Sequence, residues 1–307
     1  MTAMPGRPHR GVLSDLSDEE RALSASLAGH VRVLAEEIGD RNVWRLSRLA
    51  LAGKYIQESL TSLGYTPNRQ RYEAMGIPVE NLEVELPGTS KREEIVIVGA
   101  HYDSVRGCPG ANDNASGVAA LLELARVLQT QSFSRTVRLV AFVNEEPPFC
   151  FTSEMGSDRY AARSQARAEK IAAMVSLETI GYYSAAKGSQ RYPMPFDLLY
   201  PSTGDFIAFV GNLRSRGLVR RSVGAFRRAT RFPSEGVAAP GFLPGIYWSD
   251  QWSFWRRGYR AVMVTDTAPF RYPAYHTEED TPEKVDYDRL ARVVGGLEQV
   301  VLHLAND

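Results

Sequence analysis

Seven residues of this 307-residue chain, His101, Asp103, Asp113, Glu145, Glu146, Glu178 and His276, are of types that bind metal ions, and their positions follow one rule. His101 and Asp103 come directly after the apolar run "IVIVGA". Glu145 and Glu146 follow "LVAFV" with one asparagine between, Glu178 follows "AAMVSL", and His276 follows "AVMVTDTAPFRYPAY". Asp113 sits in the Gly/Pro loop "RGCPGANDN", at the mouth of a helical pattern. Imidazole and carboxylate hold zinc at about 2.0–2.2 Å, and a catalytic zinc keeps one position for water. Two histidines and three carboxylates, one of them shared, suffice for two zinc ions about 3.5–4 Å apart. The count fits His101 and Glu178 on one ion, Glu146 and His276 on the other, and Asp113 bridging. Glu145 is then left over, and an unliganded carboxylate beside a ligand is what a water nucleophile needs as general base. Asp103, two residues beyond His101, is placed to orient that ring's other nitrogen.

Each residue alone has an ordinary reading. A histidine after a strand can simply bond a carbonyl, and adjacent or lone glutamates usually face solvent. His9 in the tail, and His30 and His303 on helices, are read in that ordinary way. The joint placement at strand ends is what argues for chemistry, because ligands in open α/β sheets gather beyond the carboxyl ends of the strands.

The elements that must position these groups alternate in α/β fashion. Ser17 and Glu20 of "SDEE" form a capping box for a helix through about Ile38, with Leu23, Leu27, Val31 and Leu34 on one face. A second helix spans about Leu46 to Leu63. Strands are expected at "NLEVELPG", "EEIVIVGA", "TVRLVAFV", "KIAAMVSLETIG", "DFIAFVGN" and "YRAVMVTD". Helices are expected at "GVAALLELARVL", near Ser157 to Arg167, near Leu213 to Ala229, and from Tyr287 to about Leu304. Two long loops, 183–204 and 231–251, are rich in Pro, Gly and aromatics and are candidate pocket walls. The chain thus reads as a polar tail, 1–16, and one catalytic domain, 17–307, with no internal repeat.

Lys+Arg and Asp+Glu both number 36, and with no evident basic tract nucleic acid is not an expected partner. No stretch reaches the roughly 18 apolar residues of a membrane span, and the start lacks a signal-peptide core. The sequence as given reads as soluble and cytoplasmic, with secretion open if a leader was removed. Two cysteines, Cys108 and Cys150, are too few for a disulfide scaffold and read as free thiols, the alternative being one bond pinning the loops.

The segments "GAHYDS", "PGANDNASGVAALLELAR", "FVNEE", "SLETIGYY" and "YHTEEDTPEKVDY" closely resemble the di-zinc aminopeptidase family of the aminopeptidase Y and bacterial leucyl aminopeptidase type. Glutamate carboxypeptidases and glutaminyl cyclases are relatives of that family. The resemblance runs from about residue 80 to the end. It implies a mixed, mostly parallel α/β sheet of about eight strands flanked by helices, and the same ligand scheme. It also implies Glu145 as general base, Asp103 as partner of the histidine ligand, and a cis peptide at Asp113–Asn114. Tyr275 matches a position that in some members donates to the oxyanion. Where many relatives read Asp-His after a serine, this chain has "SDQW", so Gln251 carries no charge there. Glu178 stands where many members have aspartate, and Thr179 replaces a usual methionine, which reads as packing.

The function expected is that of a metalloprotease of the exopeptidase type: an aminopeptidase with two zinc ions, acting on peptides with a free N-terminus. Tyr182, Tyr183, Phe242, Tyr247, Trp248 and Trp252 are available to line an apolar side-chain pocket. Two alternatives stay open: an aminoacyl-cyclising transferase of the glutaminyl cyclase kind, working with one zinc, and a binding module that has lost catalysis.

Overall fold

Val and Ile on both faces of "IVIVGA" require cover on both sides, so this run belongs in the middle of a layered structure. The computed structural model describes residues 3–194 and 196–307, and its centre is that strand. In chain order the strands are β1 (Asn68–Ala74), β2 (Ile77–Leu86), β3 (Lys91–His101), β4 (Arg135–Phe142), β5 (Lys170–Glu178), β6 (Ile207–Asn212), β7 (Ser234–Ala239) and β8 (Ala261–Thr265). They form one sheet in the order β1-β2-β4-β3-β5-β8-β6-β7. Strands β4, β3, β5 and β8 run parallel at its centre, β2 and β1 extend one side antiparallel, and β6 joins β8 antiparallel and pairs with β7 in parallel. This is the mixed, mostly parallel eight-stranded α/β sheet that the resemblance implied.

Register places the reactive strand ends in line. His101 pairs with Phe142, and Glu178 pairs with Thr265, so β3, β4, β5 and β8 stop along one edge of the sheet. Helices α1 (Asp18–Arg32), α3 (Ser116–Leu128), α5 (Arg216–Ala229) and α8 (Tyr287–Asn306) pack against one another on one face, while α4 (Gly156–Ala166) and α6 (Gln251–Arg256) pack together on the other. Helix α2 (Leu46–Ser62) lies against β2 and α3, and α7 (Ala268–Arg271) follows β8. No helix among the described residues is long and apolar enough to cross a membrane.

The Ser17/Glu20 capping box is present, and Leu27, Val31 and Leu34 are buried as their spacing implies. The helix itself changes character at Val33, continuing as wider turns to Ile38. Two strands have no counterpart in the sequence reading. β1, "NRQRYEA", is a polar edge strand with one buried side chain, and β7, "SEGVAA", lies inside the stretch read as a loop. Edge strands are held by backbone bonds to one neighbour and need little apolar pattern. The 183–204 segment is irregular as expected, closed at its base by a bridge between Ser184 and Gly204. The tail is anchored: Arg227 donates to the carbonyls of Pro5 (3.1 Å) and Gly6 (3.2 Å), Arg220 to Ala3 and Arg292 to Ser14.

Helix α1 is tied to α3 through Glu123, whose carboxylate accepts from Ser26 (2.6 Å) and Arg126 (2.7 Å) and lies 3.4 Å from His30 Nε2. Burial pushes this carboxyl up, but the bonds from His30, Ser26 and Arg126 outweigh it and hold it down at about 2. A depressed carboxyl contributes stability above its unfolded value, near 4.3, that is lost as pH falls toward 2. Wild type should therefore lose thermal stability between pH 4.5 and 2 more steeply than Glu123→Gln, as followed by circular dichroism melts. Parallel acid profiles would show that this carboxylate contributes nothing.

Candidate metal centre

At the aligned strand ends, backbone geometry is set by buried polar clamps. His101 closes β3 and is fully buried, with Nδ1 3.1 Å from the Asp103 carbonyl oxygen and 3.6 Å from Asp103 Oδ1. The Asp103 carboxylate accepts from the backbone amides of Glu145 and Glu146, each at 3.1 Å, and so fixes the turn that follows β4. Asp103 therefore touches both halves of the cluster, its carbonyl facing the imidazole and its carboxylate the Glu-Glu pair.

The loop before α3 needs Gly110 at φ +66°, because a Cβ there would stand 2.3 Å from the Asp113 carbonyl oxygen. Arg41, fully buried, donates to the carbonyls of Tyr102 (2.7 Å) and Gly110 (2.9 Å) and also to that of Pro109. Asp280 accepts from the amides of Asn112 (2.8 Å) and Asp113 (3.0 Å) and is itself held by the Tyr272 hydroxyl (2.8 Å). Asn114 donates to the Leu177 carbonyl (2.8 Å) and accepts from Thr179 N (3.1 Å), joining the loop to the end of β5. The Asp113–Asn114 peptide is cis.

These clamps bring all seven expected residues together. His101 Nε2 lies 3.3 Å from Asp113 Oδ1, 3.2 Å from Glu178 Oε2 and 3.9 Å from Glu145 Oε2. His276 Nε2 lies 3.0 Å from Asp113 Oδ2 and 3.5 Å from Glu146 Oε1. Glu178 Oε2 also accepts from the Ser249 hydroxyl at 2.7 Å. Three groups have donor atoms close enough for an ion: His101/Asp113/Glu178, Asp113/Glu146/His276, and His101/Glu145/Glu146.

Burial pushes Glu145 well above the ordinary carboxylate value, with Glu146, Glu178 and Asp250 reinforcing it, and raises Glu146 to about 7. Asp113 is pulled below its usual value despite burial, because the imidazoles of His101 and His276 both face its carboxylate, and His276 rises to about 11 facing Asp113 and Glu146. His101 Nε2, both Asp113 oxygens and Glu146 Oε1 are buried without a hydrogen-bond partner. Among the described residues no lysine or arginine pairs with these carboxylates; the ion pairs they make are with the two histidines. Buried carboxylates in excess of cations are costly unless a cation joins them, so the donor set fits divalent metal.

Tyr275 stacks on His276 with ring centroids 3.8 Å apart. With Glu178, Trp248, Thr265 and Phe270 it lines a cavity of about 40 Å³ beside the cluster. Of the six aromatics expected to form a pocket, Trp248 alone lines that cavity. Tyr182 packs on Tyr272, Tyr183 is buried against Phe232, Tyr247 and Trp252 pack on Phe151, and Phe242 is exposed. Gln251 is buried at the start of α6, donating to the Ile246 carbonyl at 3.1 Å. Thr179 does more than pack, since its hydroxyl donates to the Glu178 carbonyl at 2.7 Å. Both cysteines are free thiols, Cys108 buried with Sγ 4.0 Å from Asp280. Arg41, Asp280, Asn112, Asn114 and Ser249 were not foreseen as parts of the site. Asp280 and the asparagines lie within quoted motifs, whereas Arg41 has no local signal because the site carbonyls it holds, of Tyr102, Pro109 and Gly110, are 61–69 residues away.

Comparisons with known proteins bear on the fold and the family. The protein YfbL of Escherichia coli, itself uncharacterized, is 39% identical over 290 residues, covering 92% of this chain and 88% of the relative. The fold is shared with the zinc aminopeptidase BSAP of Bacillus subtilis (TM-score 0.71, 17% identity, 96% of this chain and 97% of that one). It is equally shared with the glutaminyl cyclase of Fimbriiglobus ruber (TM-score 0.69, 20% identity, 98% and 99%). The model of peptidase family M28 matches residues 81–301, the segment that carries every member of the cluster, and the chain belongs to that family.

Proposed function

We propose that this chain is a zinc-dependent aminopeptidase that removes the first residue from peptides. One observation carries the reading: Asp113 offers one oxygen to His101 and the other to His276, and each histidine has its own glutamate, Glu178 or Glu146. That is a donor set for two ions sharing one carboxylate. The chemistry two zinc ions supply when bound is polarisation of the scissile carbonyl and acidification of water. Glu145 Oε2, 3.9 Å from His101 Nε2, is the leftover carboxylate oxygen that takes the proton of the attacking water and delivers it to the leaving amine. Asp103 holds Glu145 and Glu146 by their backbone amides while its carbonyl orients His101. The Tyr275 phenol, kept protonated by burial and neighbouring carboxylates, donates to the developing oxyanion. Spare carboxylate in the cluster holds the substrate's free amine.

Zinc quantitation on purified protein, paired with aminoacyl-nitroanilides and with glutaminyl peptides, tests this. Two zinc ions per chain and release of amino acids are expected. One zinc with pyroglutamate formation would replace the reading by cyclisation, and binding of peptides without turnover by a non-catalytic role.

A further inference from the structure

The cavity beside Glu178 adjoins a second one. Val210, Gly245, Thr267 and Phe270 line both that cavity and a second chamber of about 70 Å³. This second chamber is walled by Tyr192, Phe196, Tyr200, Phe206 and Phe270, and its one acidic lining residue is Glu235. Sheet register relates the two ends. Glu178 pairs with Thr265, Thr265 with Ala208, and Ala208 with Glu235, so the two glutamates close a single row across β5, β8, β6 and β7. Three strand spacings separate their Cα atoms by about 14 Å, with Thr265 and Ala208 as the floor.

Glu235 is partly buried and accepts no hydrogen bond among the described residues. Its nearest cation is Arg227, 3.8 Å away, whose guanidinium donates instead to Ser234 O, Ser234 Oγ and the carbonyls of Pro5 and Gly6. Arg10 is the other cation near it, and one face of Phe206 is already covered by Arg271 at 4.5 Å. Aromatic faces around a carboxylate are the chemistry that receives an organic cation whose stem is apolar.

Resting on the aminopeptidase reading, we infer that this second chamber is the subsite for the first residue's side chain and that it selects lysine and arginine through Glu235. The zinc-loaded enzyme should hydrolyse arginyl and lysyl nitroanilides with kcat/KM about 10-fold or more above the norleucyl substrate, which has a similar stem and no charge. A hydrogen bond to a charged group contributes about 1.5–3 kcal/mol, so Glu235→Gln should lower kcat/KM for the cationic substrates about 10- to 100-fold and leave the norleucyl value within a few-fold. Calorimetry should show the same contrast in binding of free L-arginine against L-norleucine. Ala208→Leu, which fills the floor of the row, should lower every long side chain relative to alanine. Preference for norleucyl or phenylalanyl substrates, or an arginine-to-norleucine ratio unmoved by Glu235→Gln, overturns the inference. Glu235-dependent arginine binding by a zinc-loaded enzyme that turns over no aminoacyl substrate would keep the subsite and sink the aminopeptidase reading instead.

Discussion

Glu145→Gln should reduce kcat by about 10²- to 10⁴-fold, the range that a positioned general base contributes, while zinc content stays at the wild-type value. The substitution is nearly isosteric. It leaves the backbone amide of residue 145 on Asp103 Oδ1, so the turn that aims Glu146 is preserved. KM should change little, because the interaction removed is made in the transition state and not in the bound ground state. Steady-state kinetics with elemental analysis of the same preparation separate the outcomes. An active variant would remove Glu145 as the base. An inactive variant lacking one zinc would make Glu145 a ligand, as in the third donor group, His101/Glu145/Glu146.

The second large effect is expected at the shared carboxylate. In Asp113→Asn the amide nitrogen has no lone pair for a metal, so one of the two contacts, 3.3 Å to the His101 side or 3.0 Å to the His276 side, loses its acceptor. At least one zinc per chain should be lost and activity with it. A ligand that binds only the folded state stabilises it by mass action, so the thermal shift between zinc-loaded and chelator-treated protein should shrink in the variant. Unchanged stoichiometry and an unchanged shift would sink the bridging role.

Much of the fold was legible because its signals are local. A buried parallel strand must be apolar on both faces, so β3, β4, β5 and β8 announce themselves, and the polar residues at their ends are conspicuous by contrast. The edge strands were not legible, since β7 depends on β6 for its backbone bonds and has almost no apolar pattern of its own. Both long loops supply pocket walls, through Tyr192, Phe196 and Tyr200 from one and Gly245, Ile246 and Trp248 from the other, but of the aromatics named for the pocket Tyr247 and Trp252 close on Phe151 instead.

The sequence by itself determined which residues of metal-binding type the chain carries and that His101, Glu145, Glu146 and Glu178 stand at or just beyond strand ends, because residue type and strand periodicity are properties of short segments. Only the tertiary structure decided which oxygen faces which histidine, that Arg41 and Asp280 hold the loop carrying Asp113, and that Glu235 lies in one row with Glu178. The clamps on that loop join segments from 68 to 168 residues apart. Those relations depend on strand order and register, which the close packing of the whole sheet sets and no local pattern encodes.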